Sequence, residues 1–314
     1  MFTVIHPGLL STLQDLGRWG QERFGVPVSG AMDELALRAA NALVLNEPNA
    51  CGVEMLESLV LASSVEALVA VCGFGELRVT VNERLKPTWS ALYLRAGQTL
   101  AINKPPGGWA YLAVRGGFDV PLVLGSRATY LRGGFGGYAG RALQAGDILK
   151  TAEVFPSISL LSLAGRNLQP PTLARTLQVI LGPQLGHFSH AALENFLNAE
   201  FTVTNESDRM GYRLAGPALT PQPADIISEG MPLGAIQVPA NGQPLVTLAD
   251  RPTTGGYPKI ANLIRADVPL LAQCPPGAQV RFEVTTVEAA QAKYRSRLTE
   301  LNNFQEAVEA ESFF

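Results

Sequence analysis

Two short stretches near the start of the chain gather side chains capable of chemistry: "LQDLGRWG", residues 13–20, and "GVPVSGAMD", residues 25–33. Asp15 and Arg18 stand three residues apart in a turn-like segment, a spacing that suits a pair in which Asp15 orients Arg18. Ser29 and Gly30 then open a helix, with Ser29 as its cap and Asp33 in its first turn. Free N–H groups, a glycine that permits close backbone approach and a fixed guanidinium suit an anion or a polarised carbonyl. The stretch is expected to form one wall of a cleft facing a second lobe. A capped surface turn is the plain alternative.

Three later stretches offer the complementary wall. "NESDRMGYRLAGP" holds Ser207, Asp208, Arg209 and Tyr212, and "SEGMPLGAIQVP" holds Glu229 and Gln237. "LADRPTTGGYPKI" brings Asp250, Arg251, Thr254, Gly256, Tyr257 and Lys259. A Thr-Thr-Gly-Gly run exposes hydroxyls and backbone N–H groups together, which suits a carboxylate or phosphate, and Lys259 would neutralise it. Asp15, Asp33, Asp208 and Glu229 are the candidate bases. Arg18, Ser29, Gly30, Arg115, Ser207, Arg209, Gln237, Thr254, Gly256, Tyr257 and Lys259 are the candidate substrate or nucleotide contacts. Arg209 and Lys259 lie in glycine-rich stretches, so their truncation is expected to leave the fold intact.

Between these walls, "RGGFDVPLVLGSRATYLRGGFGGYAGRALQAGD" sets Arg115, Arg127, Arg132 and Arg141 among glycines. They suit a ring around an acidic ligand, or else the tight turns and bulges of a barrel rim. The chain has neither the G-x-x-x-x-G-K-[ST] phosphate loop nor the G-x-S-x-G elbow of serine hydrolases. His187 and His190 make an HxxH pair without an evident third ligand, so no metal site is expected.

The elements that must position these residues are short. The 314 residues are 47% hydrophobic and only 16% charged, enough for two lobes with large cores. Net charge is −3 without a basic run, which argues against a nucleic-acid surface. Neither a signal peptide nor a membrane span is legible, and Cys51, Cys72 and Cys274 are sparse and odd in number. A reducing cytoplasm is therefore expected. Frequent glycine and proline punctuate Val/Ile/Leu-rich runs with period-two alternation, as in Leu77, Val79 and Val81. Asn241-Gly242 marks a hairpin turn. The pattern predicts a mainly β protein with a few helices. Helices are expected over 30–44, over 189–200 with Ser189 as cap, and through the tail. There Thr285 and Glu288 suggest a capping box, and Tyr294, Leu298, Leu301, Phe304 and Val308 form an apolar stripe. The expected domains are a β-rich lobe over 1–160, a β-barrel lobe over 175–286 and a helical tail over 287–314.

The order of "LQDLGRWGQERFGVPVSGAMD", "AANALVLN", "YLAVRGGFDVPLVLGSRATY", "GRALQAGD", "SDRMGYRLAGP", "SEGMPLGAIQVPANGQPLVTLADRPTTGGYPKIANLI" and "CPPGAQVRF" resembles the biotin-dependent carboxyltransferase family. This is also called the allophanate hydrolase subunit 2 family. The resemblance runs from about residue 3 to residue 288; Ala128 and Cys51-Gly52 depart from the usual pattern. It implies cyclophilin-like β-barrel lobes. It implies work beside a B-type, kinase-inhibitor-like subunit and an A-type subunit, in a complex that opens the lactam of 5-oxoproline to glutamate at the expense of ATP. Carboxyl transfer to urea or a related amide, and a regulatory protein antagonising a kinase inhibitor, are the alternatives within the family. The chain lacks an A-M-K-M-type biotinyl-lysine motif and is not expected to carry biotin. ATP would enter through the complex, the substrate would be a small molecule, and a homo-oligomer is left open.

Overall fold

The computed structural model describes residues 1–104, 107–152 and 164–311, with the side chains of 308–311 left aside. The expected boundary near residue 160 falls outside them. Two compact units emerge: Met1–Gly17 with Asp33–Thr172 and the tail from Leu298, and Arg18–Met32 with Leu173–Arg297.

The first unit contains β1 (Phe2–His6), β2 (Leu10–Gln14), β3 (Gly52–Leu56), β4 (Ser58–Ser63), β5 (Ala67–Gly73), β6 (Arg78–Val81), β7 (Arg84–Lys86), β8 (Ala91–Leu94), β9 (Thr99–Asn103), β10 (Ala110–Val114) and β11 (Ile148–Leu149). One sheet runs β11-β1-β4-β9-β6-β7 and the other β2-β3-β10-β5-β8. Phe2, Leu13, Val53, Leu61, Val79, Ile102 and Leu112 meet in one core drawn from both sheets. β4 alternates buried and half-buried residues, as a strand with one covered face must. β5 and β10 are buried at every position, because α1 (Glu34–Leu43) covers their other face.

The second unit is a closed barrel of seven strands. They are β12 (Thr176–Leu181), β13 (Phe201–Val203), β14 (Gly211–Ala215), β16 (Ala235–Gln237), β17 (Leu245–Thr247), β19 (Lys259–Leu263) and β20 (Gln279–Val284). β16 and β17 form the hairpin read from Asn241-Gly242, and Gly242 takes the positive φ of 75° that its turn needs. β15 (Glu229–Gly230) and β18 (Thr254–Gly255) make a separate two-stranded sheet. α2 (His190–Asn198) is capped by Ser189 as expected, and its Phe196 stacks on Phe282 at 4.8 Å. α3 (Val268–Ala272) follows β19, and α4 (Val287–Glu311) ends the described chain.

Two expected helix starts shift. α1 begins at Glu34 rather than Gly30, capped by Asp33, whose Oδ1 accepts from Ala36 N at 2.9 Å. Ser29 has φ 57° and cannot start a helix. In the tail the cap is Thr286, whose Oγ1 accepts from Ala289 N at 3.2 Å. Thr285 is held instead by Val179 O through its own N–H. The tail stripe is half-buried at Tyr294, Leu298, Leu301 and Phe304, so it docks on its own chain; Val308 lies outside the described side chains. Lys293 Nζ reaches the fully buried Asp267 carboxylate at 2.7 Å.

Candidate functional site

The segment 18–32 belongs with the barrel and is fastened to it. Arg18 N donates to Val28 O at 2.8 Å, closing the loop, and Ser29 N donates to Ala249 O at 3.1 Å. Ser29 and Gly30 both take left-handed conformations, with φ 57° and 83°. For serine this is an uncommon backbone, held here by its bond to Ala249. Arg18 and Ser29 are both buried, and Ser29 Oγ has no hydrogen-bond partner among the described residues.

Arg209 meets this segment directly. Its Nη2 donates to Gly30 O at 2.7 Å and to Asp250 Oδ1 at 3.2 Å, while Nε donates to Asp250 Oδ2 at 2.9 Å. The fork is buried, with Arg209 and Asp250 each 5% exposed. The expectation that truncating Arg209 leaves the fold intact meets a buried pair instead: its charge is held by Asp250 inside the unit. Ser207 and Asp208, just before it, do turn chemistry. Asp208 Oδ1 accepts from Met210 N at 2.8 Å, and Ser207 Oγ accepts from Arg213 N at 3.1 Å.

The small sheet β15–β18 organises a second cluster. Glu229 lies opposite Gly255 in register, and its carboxylate is paired with the ammonium of Lys259. Lys259 opens β19 and is buried, not placed in an exposed turn. Gln184 spans the pair, giving its Nε2 to Glu229 at 2.9 Å and taking Lys259 N at 3.2 Å. The hydrogen bond from Lys259 draws the Glu229 pKa below its ordinary value, with Gln184 adding to it against partial burial. Gln237 is the β-ladder partner of Lys259 and is also buried. Thr254 sits in β18, exposed, beside Gly256 and the partly exposed Tyr257. Glu229, Gln237, Thr254, Gly256, Tyr257 and Lys259 thus come together at one place on the barrel unit. Through Asp250 and Arg251 the same chain segment continues to Arg209, Ser29 and Gly30.

In the first unit, Asp15 accepts from Gly17 N (2.8 Å), Ser126 Oγ (2.7 Å) and Arg127 N (2.6 Å). It braces a turn in place of orienting Arg18. Asp33 caps α1, and Arg115 donates to Val44 O (3.0 Å) at the other end of that helix. Arg127 and Arg141 are likewise turned to the fold, to Val120 O (2.9 Å) and to Asp147 (2.7 and 2.8 Å). His187 Nδ1 donates to Pro223 O at 2.8 Å, and among the described residues no three His, Cys, Asp or Glu side chains gather as metal ligands.

Sequence reasoning missed three features. Glu54 and Tyr111 are fully buried and directly opposite each other on β3 and β10. The Tyr111 hydroxyl donates to Glu54 Oε2 at 2.8 Å and accepts from Asp33 N at 2.7 Å. Burial, then the Glu54 and Asp33 charges, push the Tyr111 pKa well above its ordinary value. A glutamate inside the apolar run "GVEML" was the available signal. The third feature is a groove of about 450 Å³ in the barrel unit, lined by Trp19, Arg251, Asn262, Arg265 and Tyr294 among others. There the Arg265 guanidinium lies over the Trp19 and Tyr294 rings at 5.4 and 4.8 Å.

Residues 24–284, which include both clusters of the barrel unit, match the family model of the carboxyltransferase domain, subdomain A and B. The chain belongs to this carboxyltransferase family. Within it, the chain is 38% identical over 290 residues to the C-type subunit of 5-oxoprolinase of Haemophilus influenzae, covering 91% of this chain and 92% of that one. It is 37% identical over 296 residues to the Escherichia coli protein of the same name, covering 92% and 93%. Among solved carboxyltransferase relatives it resembles the K. lactis urea amidolyase, with a TM-score of 0.88 and 31% identity. That match takes in 96% of this chain but only 20% of the other. Among the described residues no helix is long and apolar enough to cross a membrane.

Proposed function

We propose that this carboxyltransferase-family chain is the C-type subunit of an ATP-dependent 5-oxoprolinase, working with A-type and B-type subunits. One observation carries the reading. The chain is 38% and 37% identical to two proteins named as the C-type subunit of 5-oxoprolinase, against 31% to a urea amidolyase.

The barrel-unit cluster has the parts that lactam opening requires. The amide is a poor electrophile, so its oxygen takes the γ-phosphoryl group of ATP and ADP leaves; one water then adds, the ring C–N bond breaks to give the γ-glutamyl phosphate and the free amine, and a second water releases phosphate from that acyl phosphate. Net, 5-oxoproline, ATP and two waters become glutamate, ADP and phosphate. In this reading Glu229, kept ionised by Lys259, takes the proton of the attacking water. Lys259 and the Thr254–Gly256 backbone offer positive charge and donors to the developing oxyanion or the substrate carboxylate. Arg209, Ser29 and Gly30 shape the adjoining backbone. The nucleotide and the other subunits enter through the complex.

A second reading, carboxyl transfer to urea or a related amide, is favoured by the fold likeness to urea amidolyase. Urea and 5-oxoproline share an N–H beside a carbonyl, so one amide-handling site suits both. The test is ATP hydrolysis by the reconstituted three-subunit complex with each compound. ADP release stimulated by 5-oxoproline and not by urea with bicarbonate supports the first reading; the reverse supports the second.

A further inference from the structure

We infer that Gln237 reads the amide edge of the substrate, and that this site takes amides whose N–H and C=O lie on the same side: lactams and ureas. This rests on the reading of the barrel-unit cluster as an amide-handling site.

Gln237 ends β16 at 5% exposure, and its Oε1 is buried with no hydrogen-bond partner among the described residues. A buried amide oxygen left unpaired is costly, and in a folded protein it calls for a reason. Its position supplies one. A Cβ at Gly255 would stand 3.3 Å from Gln237 Oε1, so the carboxamide faces the side-chain-free backbone of β18. Gly255 is in turn the register partner of Glu229, which holds Lys259. The tip of Met231 lies against the same spot as a flexible apolar neighbour. An unpaired amide, an ammonium with one carboxylate partner and two consecutive glycines therefore converge.

A primary carboxamide presents an acceptor and a donor side by side. Its complement is an amide that also presents both on one edge. The substrate N–H then donates to Oε1, and its carbonyl accepts from Nε2. A five-membered lactam holds that cis geometry by its ring, and urea has it by its two nitrogens. An acyclic secondary amide is trans, with N–H and C=O on opposite sides, and satisfies half of the pair. The Lys259 ammonium has three donors and Glu229 takes one, which leaves charge for a carboxylate attached to the ring.

The test is calorimetric binding to the full chain, without ATP, of 5-oxoproline, N-methyl-5-oxoproline and N-acetylglycine. The expected result is binding of 5-oxoproline and roughly 10- to 100-fold weaker binding of the other two, as for loss of one or two buried hydrogen bonds. Gln237→Leu should erase the preference. Gln237→Glu, which keeps the oxygen and loses the donor, should weaken 5-oxoproline binding with an unchanged Tm, and guards against a folding defect in the leucine variant. Equal affinity for the three compounds, no binding of 5-oxoproline, or Gln237→Glu binding like the unaltered chain overturns the inference. Lactam turnover by the complex that ignores Gln237 overturns it while the 5-oxoprolinase reading stands. Cis-amide selectivity without lactam turnover leaves the inference standing and removes that reading.

Discussion

Arg209 and Asp250 are joined inside the barrel unit by two parallel hydrogen bonds, Nε to Oδ2 at 2.9 Å and Nη2 to Oδ1 at 3.2 Å. Forty-one residues separate them in sequence, and the same guanidinium holds Gly30 O. Removing one partner strands a buried charge. Arg209→Ala should therefore lower the unfolding free energy by about 3–5 kcal/mol, and the double variant with Asp250→Ala by less than the sum of the singles. Urea unfolding of the four proteins checks this. An unchanged midpoint for Arg209→Ala would restore the expectation that its truncation leaves the fold intact.

Asp33 tests capping against catalysis. Asp33→Ala removes the α1 cap and should cost about 0.5–2 kcal/mol, while Asp33→Asn keeps an accepting oxygen and should cost much less. If activity of the reconstituted complex follows stability across the two variants, Asp33 is a cap. If Asp33→Asn is stable and inactive, its charge takes part in the reaction.

Tyr111 is the buried donor to Glu54. Tyr111→Phe leaves the Glu54 carboxylate without that hydroxyl and should cost about 1–3 kcal/mol, read by denaturant unfolding. The raised Tyr111 pKa also predicts that Tyr111 resists alkaline titration of the folded protein more strongly than Tyr93, whose pKa is also raised, followed by phenolate absorbance. Loss of that resistant component in Tyr111→Phe identifies it.

The Glu229–Lys259 pair fixes a pH dependence. The Glu229 pKa is lowered in the folded chain, so the pair's contribution is fully present above the unfolded glutamate pKa. It is lost as pH falls through the lower folded value. Stability curves of the unaltered chain and Glu229→Gln should run apart near neutrality and converge on acidification. Parallel curves down to strong acid would show that the pair contributes no linkage.

Truncation after Glu288 removes Lys293 from the buried Asp267 and Tyr294 from its stack on Arg265. The Tm should fall and apolar-dye binding should rise. An unchanged Tm would make the tail dispensable.

How much of this was legible in the sequence follows distance along the chain. The alternation of Val79 and Val81 in β6, the Asn241-Gly242 hairpin, the Ser189 cap and the tail stripe are local, and the sequence reading met each of them. Caps slipped to Asp33 and Thr286 because several Ser, Thr and Asp residues sit together and only backbone angles choose among them. Glu54 meeting Tyr111, or Arg209 meeting Gly30, depends on strand register and barrel closure, which no local pattern encodes. Asp15 and Arg18 show the converse: closeness in sequence suggested a pair, yet Asp15 is taken by a loop more than a hundred residues away.

The decisive measurement is release of glutamate from 5-oxoproline, with ATP, by the complete three-subunit mixture and with each subunit left out in turn. ATP-dependent glutamate release is expected from the complete mixture, none from this chain alone, and loss of release when this chain is omitted. Full release without this chain, or by this chain alone, would contradict the proposed subunit role.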